Sequence, residues 1–110
     1  NIHLIDPLQY PEFISLMERS FIILTDSGGV QEEAPSLNKP VLVFRENTER
    51  PEAVEAGLVK VVGLETENIV NAFTNLYENP TEFKLMSNGV NPYGDGYASE
   101  RIVSFLKTKL

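Results

Sequence analysis

Three small residues, Ser27-Gly28-Gly29, follow the apolar run Phe21-Ile22-Ile23-Leu24 and the pair Thr25-Asp26, and Gln31-Glu32-Glu33 come almost at once behind them. Glycine lets a phosphate approach backbone N–H groups closely, a serine hydroxyl adds a donor, and a helix N-terminus favours negative charge. Glutamates on the next turns repel a diphosphate, but they are well suited to accept hydrogen bonds from the two hydroxyls of a ribose. A nest of donors followed by a carboxylate that reads a sugar describes a nucleotide site. The same residues also describe a plain tight turn, with Asp26 or Ser27 capping a helix whose first turn favours glutamates. The spacing is weaker than a full phosphate-loop signature and leaves both readings open.

A second cluster stands at RENTERPE, residues 45–52. Arg45 directly follows an apolar run, and Glu49 and Arg50 open the next helical stretch beside Thr48. Two arginines here would supply the cation that a diphosphate requires. The alternative is a helix capped by Thr48 with solvated charges around it. The two clusters support each other only if they stand on consecutive strand ends of one sheet.

The elements needed to place them there are legible. Ile2 to Ile5, Phe21 to Thr25, Val41 to Phe44 and the stretch LVKVVG (58–63) read as four strands, apolar and rich in β-branched residues. Between and after them, helices are expected over YPEFISLMERS, over Gly28 to Leu37 with a break at Pro35, and over TERPEAVEAG with Gly57 as its stop. Three more are expected over 65–78, over PTEFKLMSN, and over YASERIVSFLKTKL, where Lys107 and Lys109 favour the C-terminal end. Strands alternating with helices give βαβ units and hence an α/β fold, a parallel sheet of about four strands with flanking helices. In such a sheet ligands bind beyond the carboxyl ends of the strands, where helix N-termini point.

Composition narrows the function classes. The 110 residues allow one domain, burying roughly 65% of the unfolded surface. Sixteen acidic against nine basic residues give a net charge of −7, which argues against nucleic acid or an anionic membrane as partner. No apolar run approaches the ~18 residues of a membrane span. There is no cysteine, hence no disulfide, thiolate metal site or cysteine nucleophile. The carboxylates lack the patterned partners of a metal site, so none is expected. His3, the only histidine, lies inside an apolar run and is expected to be buried and hydrogen-bonded rather than catalytic. Tyr10 and Phe13 are expected to be partly core, with one of them free to stack on a flat base. NPYGDG, residues 91–96, reads as a turn-rich hinge. The chain opens on Asn1 and runs straight into a strand, so it is expected to be a piece of something longer.

DPLQYPEF, LTDSGGVQEEAPSLNKPVL, RENTERPE and NPYGDGYAS together resemble the non-hydrolysing UDP-N-acetylglucosamine 2-epimerases of bacteria, over about Ile5 to Val103. The resemblance implies the C-terminal part of a Rossmann-like domain in a two-domain, glycosyltransferase-B-like fold. Residues 1–110 would be a partial UDP-binding domain, partnered by a UDP-sugar and by the missing N-terminal domain of the same enzyme. It further implies that Ser27, Gly28 and Gly29 bind the diphosphate, Glu33 the ribose hydroxyls, and Phe13 the uracil. Arg50, with Arg45 beside it, would face the phosphates. The implied parent is a cytoplasmic homodimer without a cofactor that interconverts UDP-N-acetylglucosamine and UDP-N-acetylmannosamine.

The family's proton-transfer groups match no position here, so no catalytic residue is assigned and the 110 residues alone are expected to be inactive. A hydrolysing epimerase, a glycosyltransferase of similar fold, and a stand-alone nucleotide-binding or interaction domain remain as alternatives. If the sheet continues beyond these residues, an unpaired apolar edge invites self-association.

Overall fold

A computed structural model describes residues 1–110. Its centre is β2, Val41–Val43, an unbroken apolar run following Pro40 and covered completely on both faces. Strand β1, Ile23–Thr25, pairs with it on one side and β3, Val59–Val61, on the other, both parallel, giving the order β1-β2-β3. The register sets Thr25 beside Val43 and Val43 beside Val61, so the three strands end together at one edge.

Side chains alternate across a strand, and the core divides accordingly. Val41, Val43 and Val59 face Met17, Ala34 and Ala53, which come from three different helical segments. These are α1 (Tyr10–Arg19), the α2 segment (Gly28–Glu33) with its 3₁₀ continuation Ala34–Leu37, and α3 (Pro51–Glu55). Leu42 points the other way, toward Ala72 and Leu76 of α4 (Thr66–Glu78) and Met86 of α5 (Pro80–Ser87). Helices cover both faces, as the alternation of strands and helices implies. Pro35 does break the helix begun at Gly28. The tighter turn closes on Asn38, in the left-handed region, whose N–H reaches the Ala34 and Pro35 carbonyls.

The sheet has three strands, not four. Ile2 to Ile5 joins no ladder and is exposed along its length, with Leu4 fully open to solvent. An apolar run becomes a strand only when a neighbouring strand meets its N–H and C=O groups, and none of the three does so here. The expectation for His3 falls with it, since the side chain is exposed and not buried. Helix α6 (Ala98–Lys109) also stands clear of the core and buries no residue. Its reach and that of the N-terminal arm explain a radius of gyration of 16.3 Å, against about 13 Å for a compact chain of this length.

Candidate functional site

The carboxyl edge of the sheet carries both sequence clusters. After Thr25 the chain turns into α2 with Ser27 at the N-cap, where its Oγ accepts from the Val30 N–H at 3.4 Å. The Ser27 N–H donates back to Thr25 Oγ1 at 3.0 Å, so the last residue of β1 fixes the turn. The N–H groups of Gly28 and Gly29 make no hydrogen bond to the protein. Two donors at the start of a helix are therefore open on this edge.

Gln31 ties this turn to the next one. It is fully buried, donates from Nε2 to the Ser27 carbonyl at 3.2 Å, and accepts at Oε1 from the Thr48 hydroxyl. Thr48 Oγ1 in turn accepts the Arg50 N–H at 3.0 Å. A buried amide with both ends engaged is a rigid strut, because freeing either end would strand a polar group without water. Sequence reasoning placed Gln31 with Glu32 and Glu33 on the first turns of the helix and gave it no role of its own. The fold turns it inward, and it is the joint between the clusters.

The arginines are not free cations. Arg50 Nε is bonded to Glu32 and its NH1 to the Glu49 carbonyl at 3.3 Å. Arg45 NH1 reaches both Glu49 carboxylate oxygens, at 3.0 and 2.7 Å. Each of these four side chains is more than a third exposed, so solvent screens both pairs and an anion could compete for either arginine. Glu49 bears directly on the open turn. A Cβ placed on Gly28 would fall 2.7 Å from Glu49 Oε1, so this carboxylate already rests where an anion would approach. Its pKa is lowered, first by its own backbone N–H and then by the Arg45 hydrogen bond. Thr48 is not the helix cap that one sequence reading allowed. Arg50 holds that position and offers no side-chain bond to the helix.

Glu33 lies half-exposed one turn further along α2, within reach of the Tyr10 phenol. Desolvation raises the Tyr10 pKa, and the Glu33 charge raises it further. Phe13 packs partly buried against the Met17 cluster, as expected of a residue with one foot in the core. An open cleft of about 700 Å³ runs between α2 and the 91–96 loop, past Glu32, Glu33, Tyr93, Asp95 and Arg101. The structure thus brings Ser27, Gly28, Gly29, Arg45 and Arg50 to one edge, with Glu33 a turn away on the same short helix. Sequence reasoning named Glu49 only as part of a helix start, without its place against Gly28, and gave Tyr93 no role. An aromatic residue inside a turn of glycines and a proline was the one available signal for Tyr93.

Known proteins agree with this architecture. The profile of the UDP-N-acetylglucosamine 2-epimerase family matches residues 1–107. A UDP-N-acetylglucosamine 2-epimerase of Campylobacter jejuni is 58% identical over 96% of this chain, which spans 28% of that relative's length. The solved UDP-GlcNAc 2-epimerase of Neisseria meningitidis, bound to UDP-GlcNAc, superposes with a TM-score of 0.93 at 59% identity, covering 98% of this chain and 30% of that one. The Methanocaldococcus jannaschii enzyme, in complex with UDP-GlcNAc and UDP, gives 0.76 at 42% identity over 94% of this chain and 27% of its own.

Proposed function

Because the chain belongs to the UDP-N-acetylglucosamine 2-epimerase family, we propose that these residues form the part of such an enzyme that grips UDP. The open donors of Gly28 and Gly29, with the Ser27 hydroxyl, receive the diphosphate, and Glu33 accepts from the ribose hydroxyls. Phe13 lies toward the base. Arg50 and Arg45 exchange their exposed carboxylate partners for phosphate oxygens as the nucleotide enters, and Glu49 moves aside. The observation that carries the reading is the buried Gln31 strut, which holds the Ser27 turn and the Thr48–Arg50 segment at one sheet edge.

The reaction proposed for the whole enzyme interconverts UDP-N-acetylglucosamine and UDP-N-acetylmannosamine. A base removes the C2 proton, the C1–O bond breaks with its electron pair leaving on UDP, and a 2-acetamidoglucal remains. Re-addition of UDP at C1, with a proton delivered to the opposite face of C2, completes the inversion. Charge grows on the leaving diphosphate as the bond breaks, and donors already aimed at it stabilise that charge without reorganising. The intermediate must stay bound between the steps, so retention of UDP belongs to catalysis. None of the residues gathered at this edge is assigned the proton transfers, so the 110 residues by themselves are expected to give no epimerisation. The reading includes the cytoplasmic homodimer that the resemblance implies.

Titrating UDP into the chain while following backbone amides by NMR tests the site, with uridine as control. Shifts centred on residues 27–33 and 45–50, weaker with uridine, are expected. Equal responses to the two ligands would remove the diphosphate from the reading and leave Ser27 as a helix cap only.

A further inference from the structure

The nucleotide reading leaves the NPYGDG stretch without a task. Tyr93 stands in it, with its ring packed against the Met17 cluster. The Tyr93 hydroxyl donates to the Arg50 carbonyl at 3.3 Å and accepts the Ala53 N–H at 3.3 Å. The loop holds Tyr93 in turn: its N–H donates to Asn91 Oδ1 at 3.1 Å, and Asn91 Nδ2 donates to the Gly94 carbonyl at 3.3 Å.

These bonds answer a deficiency in α3. That helix is five residues long, starts at Pro51, and has no side-chain cap from Arg50 before it. The N–H groups of a helix's first turn need outside partners. Tyr93 supplies one from forty residues away. With the Arg50 N–H on Thr48 and its carbonyl on Tyr93, both polar groups of that backbone unit are fixed. The side chain then leaves a defined backbone toward Glu32. A phenylalanine could fill the same space, but it would leave both the Ala53 N–H and the Arg50 carbonyl without this partner.

We propose that Tyr93 is a positioning residue that aims the Arg50 guanidinium into the site by holding the Arg50 carbonyl and the first turn of α3. The 91–96 loop is thereby part of the grip on the ligand. The ligand's identity rests on the nucleotide reading above, whereas the aiming is a property of the free protein. The two can therefore fail separately.

The test uses Tyr93→Phe in the protein at its full encoded length, with arginine side chains ¹⁵N-labelled. Without nucleotide, the Arg50 Nε–H is expected to shift and to exchange with solvent about fivefold faster, as loss of one hydrogen bond of ordinary strength implies, while Arg45 Nε–H stays unchanged. An unaltered Arg50 Nε–H overturns the proposal whether or not UDP binds. In the second arm, Tyr93→Phe is expected to weaken UDP binding about fivefold when Arg50 is present and by less than about twofold on an Arg50→Ala background. Equal losses on both backgrounds would make Tyr93 merely structural and overturn the proposal. If Tyr93→Phe fails to fold, judged by the amide shifts of Val41 to Val43, Asn91→Ala replaces it, because Asn91 reaches Arg50 only through Tyr93. The same Arg50 change in weaker form is then expected, and its absence overturns the proposal.

Discussion

The carboxyl edge of the sheet and the two ends of the chain meet solvent in opposite ways. At the edge, buried polar side chains are matched: no buried side-chain nitrogen or oxygen lacks a partner, and Gln31 is engaged at both ends. At the ends, apolar groups are unmatched. Ile2 and Leu4 are almost wholly exposed, and α6 turns Ile102, Phe105 and Leu106 to solvent. An aromatic row, in which Phe21 stacks on Phe83 at 4.2 Å and meets Tyr77 edge-on, is also half-open. The difference teaches where the site's geometry comes from. Apart from Tyr10 and Phe13 of α1 and Tyr93 of the 91–96 loop, its contacts run from Thr25 to Ala53, so most of them form within two βαβ units, independently of whatever covers the apolar ends.

The largest test of that contrast is Gln31→Ala. It should cost about 3 kcal/mol in urea unfolding, since it takes the acceptor from the Thr48 hydroxyl and opens a void, while the Ser27 carbonyl keeps only the residue-31 N–H. A loss under about 1 kcal/mol would mean that the two clusters are held together by something other than the strut. Next in size is Gly28→Ala. Glu49 is exposed and long enough to give way, and alanine favours a helix, so stability should stay within about 0.5 kcal/mol of the original. UDP affinity should nonetheless fall about tenfold, because the methyl group occupies the approach to the open donors. Glu49→Gln should move the other way, with UDP binding about threefold tighter once the resident charge is gone. Affinity unchanged in both variants would disconnect this turn from the ligand.

The smallest effect on folding is expected at the ends. Ile102→Glu should alter unfolding by no more than about 0.5 kcal/mol, yet it should reduce self-association of the 110-residue chain in sedimentation. A cost above about 2 kcal/mol would show that α6 does pack on the body, and the contrast between the two regions would fail.

Much of the fold was legible because its signals are local. Pro35 broke a helix where a missing N–H must break one. Gly57 ended α3 with a positive φ of 75°, and Val41–Val43 was buried on both faces as an unbroken apolar run should be. Ile2 to Ile5 misled for a related reason. Its composition is that of a strand, but a strand is a pairwise object, and composition says nothing about whether a neighbour is present to pair with it.

For the site, the sequence by itself determined the turn. Small residues at 27–29, helix-start donors and a cap at either Asp26 or Ser27 follow from residue type, whatever surrounds them. It also placed both clusters after strands, which in a parallel sheet means at one edge. Only the tertiary structure decided which polar side chains face inward and which pair with each other. Gln31 and Glu32 are adjacent and similar in size, yet one is a buried strut and the other a surface partner of Arg50. Burial depends on which helix face meets the sheet, and Glu49 against Gly28 or Tyr93 beneath Arg50 depends on segments 21 and 43 residues apart coming together. Contacts of that range leave no periodic trace in a sequence, because each is made once, in space, by a fold that other residues specify.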